Sequence, residues 1–196
     1  MLREKLKNYK IILASGSPRR QDFFKELDLD FSIEVREVEE IFPKHLQNGS
    51  EITDYLAKLK ACAFQDLAEN DILITSDTIV WKNGEAIGKP ENREEAEKML
   101  HNLSGDFHEV ITSVVFTGKN FQETINDTTK VWFKELTKAE IDYYLTHYKP
   151  YDKAGSYGIQ EWIGYIGIDR LEGSYFNVMG LPTRLVYKTL MEIADR

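Results

Sequence analysis

Apolar residues follow two patterns along the chain. Continuous apolar runs predict strands, and helical spacing of apolar residues predicts helices. The runs at residues 11–14 and 72–81 are typical of strands that are covered on both faces. Helical spacing of apolar residues predicts a long helix over residues 50–69. Residues 107–117 and 121–133 predict two long strands, which we expect to pair antiparallel.

Capping and turn residues mark where several of these elements begin. Asn92 with Glu95 and Thr137 with Glu140 have the spacing of a capping box, so each pair predicts a helix start. Asn83-Gly84 predicts a two-residue hairpin turn after the run at residues 72–81.

The run at residues 11–14 leads into a turn of small residues, where a helix is predicted to begin. Ser17 suits the N-cap and Pro18 the first helical position. Backbone N–H groups at a helix start attract an anion, and Arg19 and Arg20 add cations whose forked donors match phosphate oxygens. An ordinary strand-to-helix turn with two solvated arginines is the alternative.

Asp77 interrupts the apolar run at residues 72–81. A carboxylate in such a run must be paired, bound to a metal or shifted in its pKa. The alternative is an aspartate that caps a bulge through local backbone bonds, but intact strands rarely tolerate aspartate. The hairpin is expected to bring Lys89 back towards Asp77, which suits a metal and phosphate site, whereas a weak surface salt bridge is the alternative.

Two further segments carry candidate polar groups. The acidic segment that ends at Glu40 is either a solvated loop or a source of a metal-binding carboxylate. Residues 152–160 are rich in glycine, which lets the backbone approach a ligand, and Lys153 and Gln160 add a charge and a donor–acceptor pair. A glycine-rich turn before a strand is the alternative. His108, at a strand start, is more often structural than catalytic.

Composition limits the classes of function. The chain has 196 residues and a formal net charge of −8, which argues against a broad surface for duplex nucleic acid. Cys62 is its single cysteine, so neither an internal disulfide nor a cysteine-based zinc site is expected. We expect Cys62 to pack as a small apolar residue. No run of about 18 apolar residues suggests a membrane span. We expect a cytoplasmic protein without membrane or nucleic-acid partners.

Several well-known catalytic motifs do not occur in the sequence. It has no Gly-x-Gly-x-x-Gly, no P-loop, no Gly-x-Ser-x-Gly and no histidine spacing for zinc. Arginine, lysine and acidic residues beside glycine-rich turns remain. They suit phosphoanhydride chemistry with a divalent metal better than acyl transfer.

Three separated stretches together resemble the Maf family of nucleotide pyrophosphatases. They are Leu13-Ala14-Ser15-Gly16-Ser17-Pro18-Arg19-Arg20, Ser76-Asp77-Thr78-Ile79-Val80 with Gly88-Lys89-Pro90, and Asp152-Lys153-Ala154-Gly155-Ser156-Tyr157-Gly158-Ile159-Gln160. The resemblance covers nearly the whole chain in the right order. It implies an elongated α/β fold, in which helices flank a mixed sheet with a central cleft, shared with inosine-triphosphate pyrophosphatases.

The resemblance also implies an activity and a set of site residues. Family members cleave nucleoside triphosphates to the monophosphate and diphosphate with a divalent cation, Mg²⁺ or Mn²⁺, and Thr78 and Gln160 resemble the branch that acts on dTTP and UTP. Asp77 would be the proton acceptor and, with Glu40, would hold the metal. The other residues implied are catalytic Arg20, Lys60 and Lys89, and substrate-binding Ser15, Gly16, Ser17, Arg19, Thr78, Lys153 and Gln160.

Other expectations stay open at this point. The chain departs from the family pattern at Ser76, where alanine is usual, and at Glu161-Trp162, which leaves the loop shape and base selectivity open. A pyrophosphatase for ITP or 7-methyl-GTP and a non-catalytic nucleotide-binding regulator of cell division are alternatives. We expect a single Maf-like domain, and the alternative is two lobes with residues 102–148 in the smaller one. The apolar face near residues 162–168 is the candidate surface for a homodimer.

Overall fold

The computed structural model describes all 196 residues, and strands and helices follow one another through the chain. The strands are β1 (Lys10–Leu13), β2 (Phe31–Ile33), β3 (Asp71–Lys82), β4 (Glu85–Ile87), β5 (Phe107–Thr117), β6 (Gln122–Phe133) and β7 (Ile168–Glu172). The helices are α1 (Leu2–Lys5), α2 (Pro18–Glu26), α3 (Gly49–Cys62), α4 (Arg93–Leu103), α5 (Lys138–Tyr148), α6 (Trp162–Gly167), α7 (Tyr175–Val178) and α8 (Thr183–Ala194).

The seven strands form one mixed sheet in the order β2-β1-β3-β5-β6-β7, with β4 paired to β3. Strand β1 is parallel to both β2 and β3, and Ile12 lies opposite Leu73. The β3–β4 and β6–β7 pairs are antiparallel. The structure therefore confirms the expected mixed sheet flanked by helices.

The chain divides into two compact units. The first comprises Met1–Asp77, Thr112–Asp127 and Gly180–Arg196, and the second comprises Thr78–Ile111 and Thr128–Met179. Residues 102–148, which were expected in one smaller lobe, belong partly to each unit. The single Maf-like domain stays a prediction.

The core of the first unit packs α3 against the strands. Ala57 and Ala61 on α3 are buried together with Ile12 of β1, Leu73 of β3 and Val115 of β5. Small alanines on the helix let its backbone approach the branched side chains of the sheet, and burial of apolar surface stabilises this arrangement. The same packing fixes which face of α3 its polar residues occupy.

The predicted length of the helix at residues 50–69 is wrong, because α3 ends at Cys62. Arg36 Nη1 donates to the Ala63 carbonyl at 2.8 Å, and the Arg36 guanidinium carbon lies 4.2 Å from the centre of the Phe64 ring. This long-range partner satisfies a carbonyl that a continuing helix would use. Cys62, which was expected to be packed, is exposed.

Turns and caps in the second unit agree with the sequence. Asn83 and Gly84 have φ values of 53° and 83°, and they close the β3–β4 hairpin, in which Val80 lies opposite Ile87. Thr137 and Glu140 form the capping box at the start of α5. The glycine-rich stretch contains a short 3₁₀ turn (Ala154–Ser156) and leads into α6, so it does not precede a strand.

None of the helices in the structure combines the length and the hydropathy needed to span a bilayer.

Candidate active site

The turn between β1 and α2 has the form expected from its small residues. Helix α2 begins at Pro18 with Ser17 as its N-cap, as predicted, but the Ser17 side chain makes no capping bond. Instead, the buried Ser15 hydroxyl accepts a bond from the Ser17 amide at 3.3 Å. A Cβ atom on Gly16 would meet no atom within 4 Å, so the space above the turn is open.

Arg20 is held against the middle of β3 and is not the solvated arginine of the alternative interpretation. Its Nε donates to the Gly180 carbonyl at 2.8 Å and its Nη1 to the Ser76 carbonyl at 3.1 Å. Burial lowers the pKa of the Arg20 guanidinium, the charges of Asp77 and Glu40 raise it, and that of Arg19 lowers it. The guanidinium stays positive, since the ordinary pKa of arginine is above 12.

Asp77 is paired, as its position within an apolar run required. Lys60 Nζ lies 2.7 Å from Asp77 Oδ1 and 3.1 Å from Glu40 Oε1, and it also donates to the Ser76 carbonyl at 3.4 Å. The Asp77 side chain is only 8% exposed and that of Lys60 18%, so water screens the pair weakly. Helix α3 supplies the lysine, β3 the aspartate, and the acidic loop before α3 supplies Glu40.

The first unit thus brings together four of the predicted site residues: Asp77, Glu40, Lys60 and Arg20. Two cations and two carboxylates meet around the Ser76 carbonyl at the point where β3 passes out of this unit. A carboxylate beside two fixed cations can accept a proton while the cations bind phosphate oxygens. Such an arrangement suits the hydrolysis of a phosphoanhydride.

The two predicted metal-binding carboxylates fit a divalent cation. Glu40 and Asp77 already share one positive group, the Lys60 ammonium. Mg²⁺ usually takes one or two carboxylates from a protein and completes its shell with water and substrate phosphates. A cluster of three or more His, Cys, Asp or Glu side chains suited to a metal does not occur in the structure.

In the second unit, the segment before Lys89 is joined to the glycine-rich loop. The Gly155 amide donates to the Gly88 carbonyl at 3.0 Å, so the exposed Lys89 and the loop that carries Lys153 and Gln160 are held to each other. Gly155 has a φ of 68°, and a Cβ atom there would lie 2.9 Å from Val80 Cγ2. The glycine permits this close packing on β3.

Lys153 has partners that sequence reasoning missed. Its Nζ lies 2.7 Å from Asp152 Oδ1 and 3.0 Å from Glu161 Oε1. The Tyr144 hydroxyl of α5 donates to Glu161 Oε2. The only sequence feature that pointed to these contacts was Glu161 itself, which departs from the family pattern. That departure did not indicate that Tyr144 would bind Glu161.

Thr78 and Gln160 are partly buried residues of the second unit. Thr78 follows Asp77 directly in β3, and Gln160 ends the glycine-rich stretch. Their predicted roles in base recognition, the role of Arg19 and the expected approach of Lys89 to Asp77 stay predictions.

His108 is a buried residue of the core, as its position in the sequence suggested. Its Nε2 pairs with the Tyr157 hydroxyl at 2.7 Å, and its ring stacks on Phe133 with the ring centres 5.5 Å apart. Burial, assisted by the charge of Lys82, lowers the pKa of His108 to about 3, against an opposing effect of Asp106. The imidazole is therefore neutral near pH 7.

The family model and the relatives found by sequence indicate the same family. The model of the family described as Maf-like protein matches residues 10–193. A dTTP/UTP pyrophosphatase from Christiangramia forsetii is 60% identical, with all of both chains covered. One of the same name from Flavobacterium psychrophilum is 62% identical over 97% of this chain and 98% of its own. The Staphylococcus aureus Ham1 structure has a TM-score of 0.47 and 19% identity over 63% of this chain and 71% of its own. The chain belongs to the family of Maf-like proteins.

Proposed function

We propose that this protein is a nucleoside triphosphate pyrophosphatase that hydrolyses dTTP and UTP to the monophosphate and diphosphate. The observation that carries the proposal is the meeting of Asp77, Glu40, Lys60 and Arg20 in the first unit. Relatives that are about as long as this chain and 60–62% identical to it bear the name dTTP/UTP pyrophosphatase, which supports the choice of substrate.

Asp77 acts as the proton acceptor. It orients a water molecule and takes its proton as the water oxygen attacks the α-phosphorus of the substrate. The bond from that phosphorus to the oxygen bridging to the β-phosphate breaks, and diphosphate leaves. The Lys60 ammonium keeps the Asp77 side chain in one orientation at 2.7 Å.

The cations bind the phosphates and the leaving diphosphate. Arg20 is the best placed of them, since two backbone carbonyls hold its guanidinium rigidly. Fixed donors of this kind stabilise developing negative charge without reorganising during the reaction. Lys60, Lys89 and Lys153 add further positive charge.

Asp77 and Glu40 would hold a divalent cation, Mg²⁺ or Mn²⁺. When bound, it would neutralise charge on the phosphate oxygens and polarise them. Glu40 is half exposed, so its carboxylate can turn towards such an ion without disturbing the core. Lys60 then retains its bond to the Ser76 carbonyl.

The remaining predicted residues bind the substrate. The open turn at Ser15, Gly16 and Ser17 offers backbone N–H groups to phosphate oxygens, because no side chain fills the space above Gly16. Arg19, Thr78 and Gln160 recognise the base, and Gln160 can both donate to and accept from the edge of a pyrimidine.

Diphosphate release with Mg²⁺, measured for dTTP, UTP, CTP, 7-methyl-GTP and ITP, tests this function. We expect dTTP and UTP to be the fastest substrates, and we expect a chelator to abolish release. A preference for ITP or 7-methyl-GTP would refute the assigned specificity. Nucleotide binding without release from any of the five would favour a non-catalytic regulator.

A further inference from the structure

Lys153 has an unusually restricted ammonium group for a lysine in a loop. Its side chain is only 10% exposed, Asp152 Oδ1 accepts a hydrogen bond from it at 2.7 Å, and Glu161 Oε1 forms an ion pair with it at 3.0 Å. A lysine ammonium has three protons and no acceptor, so it can still donate to another partner. Its position is therefore decided by the carboxylates beside it.

Glu161 is itself held in place by Tyr144, whose side chain is fully buried on α5. The Gly158 amide donates to the Tyr144 hydroxyl oxygen at 3.0 Å, and the hydroxyl proton is donated to Glu161 Oε2. Burial and the charge of Glu161 raise the pKa of Tyr144, so the hydroxyl keeps its proton. One oxygen of Glu161 is thus bound to Tyr144 and the other to Lys153.

Gly158 permits this close arrangement. A Cβ atom on Gly158 would lie 2.9 Å from Glu161 Cδ, which is closer than real Cβ contacts, and 3.1 Å from Lys153 Cε, which is tighter than most of them. The backbone of the loop, the glutamate and the lysine stem are therefore packed directly on one another. Such packing removes alternative rotamers of the two long side chains.

We propose that Glu161 and Tyr144 are positioning residues, which hold the Lys153 ammonium so that it donates a proton to an oxygen of the substrate's triphosphate. The proposal deepens the proposed function and rests on it for the assignment of Lys153 to the phosphates. Tyr144 orients Glu161, and Glu161 orients Lys153. Neither Tyr144 nor Glu161 touches the substrate.

The variant Glu161→Gln tests the proposal, because it keeps the size of the side chain and removes its charge. We expect KM for dTTP to rise about tenfold while kcat changes less than about twofold, since the interaction with phosphate is made equally before and in the transition state. Tyr144→Phe should shift KM in the same direction by less. Glu135→Gln, at an exposed site, and Tyr148→Phe, on the exposed part of α5, are the matched controls and should leave both constants unchanged.

A double-mutant cycle with Lys153→Met distinguishes positioning from a general structural role. In the Lys153→Met background, Glu161→Gln should cause no further rise in KM, because the ammonium through which it acts is gone. A further rise of the same size in that background would overturn the proposal, and so would an unchanged KM in Glu161→Gln alone. Melting temperatures show whether each variant is folded, and Tyr144→Phe carries the test if Glu161→Gln does not fold.

Calorimetric binding of inorganic triphosphate, which needs no turnover, separates this inference from the proposed function. If the wild type releases no diphosphate from dTTP or UTP, the proposed function fails. The positioning role is still supported if triphosphate binding weakens about tenfold in both Lys153→Met and Glu161→Gln, without an additive effect in the double variant. The positioning role is overturned if the wild type does not bind triphosphate, or if the wild type and Glu161→Gln bind triphosphate equally well.

Discussion

Ser76 and Asp77 are consecutive buried residues of β3 whose side chains differ in their partners. The Asp77 carboxylate is bound by Lys60, whereas the Ser76 hydroxyl is buried without a hydrogen-bond partner. The useful group of Ser76 is its backbone carbonyl, which receives bonds from Arg20 and Lys60. Its side chain therefore contributes nothing to the bonding that holds the site together.

Asp77→Asn is expected to reduce the rate of diphosphate release by about a thousandfold, because an amide cannot accept the proton of the attacking water. The protein should stay folded, since the amide oxygen still accepts a bond from Lys60. Release assays and melting curves check this. Asp71→Asn, at the first residue of the same strand, is the control, and it should retain activity. Turnover like that of the wild type in Asp77→Asn would remove Asp77 from the mechanism.

Ser76→Ala is expected to raise the free energy of unfolding by about 1 kcal/mol, because a buried hydroxyl without a partner costs roughly that much. Ser113→Ala is the contrasting variant. The Ser113 hydroxyl lies 2.5 Å from Asp54 Oδ1 and 2.6 Å from Thr53 Oγ1, so its loss should destabilise the protein. Urea denaturation measures both. A loss of stability in Ser76→Ala would contradict the prediction.

Helix α5 carries Tyr144 into the core of the second unit, and its start is defined by side chains. Thr137 accepts a bond from the Glu140 amide at 3.2 Å, and Glu140 accepts one from the Thr137 amide at 2.8 Å. Lys134 adds a salt bridge to Glu140 at 2.7 Å. Ile141, Tyr144 and Leu145 then lie on the buried face. The cap therefore fixes the helix on which Tyr144 reaches Glu161.

Thr137→Ala is expected to lower the free energy of unfolding by about 1 kcal/mol, because the Glu140 amide loses its capping acceptor. Chemical denaturation followed by circular dichroism measures the change. Thr137→Ser retains the hydroxyl and should stay close to the wild type. Equal losses in the two variants would show that the methyl group matters and the capping bond does not.

The stability of the protein depends on pH through His108. The folded protein keeps this histidine neutral down to about pH 3, whereas an unfolded chain protonates it below about 6.5. Between these pH values the unfolded state binds a proton that the folded state does not bind. A fall in pH therefore favours the unfolded state, and the free energy of unfolding decreases. The stabilising contribution is complete above about 6.5 and is lost progressively in acid.

Between pH 6.5 and 4.5 the wild type is expected to lose about 2–3 kcal/mol more stability than His108→Gln, at about 1.4 kcal/mol for each pH unit. Glutamine does not titrate and can still bond to the Tyr157 hydroxyl. Urea denaturation at several pH values measures the difference. His101→Gln, at an exposed histidine, should follow the wild type, and parallel curves for the wild type and His108→Gln would contradict the prediction.

Local features of the chain were predicted well because they depend on neighbouring residues. The hairpin at Asn83-Gly84 and the capping box at Thr137 were confirmed, since each is decided within a few residues. The end of α3 was predicted wrongly, because Arg36, which is distant in sequence, binds the Ala63 carbonyl. The identities of the candidate site residues came largely from the resemblance of three motifs to the Maf family.

The strands, the hairpin, the helix caps and the need of Asp77 for a partner follow from the amino-acid sequence alone, because apolar periodicity, turn geometry and the cost of an unpaired buried charge are properties of short segments. Which groups meet depends instead on the packing of the folded chain. The Lys60–Asp77 bond, the anchoring of Arg20 by Gly180 and the contact of Tyr144 with Glu161 join residues that lie 17, 160 and 17 positions apart. Such contacts depend on how helices and strands pack on one another, and no local pattern in the chain encodes that packing.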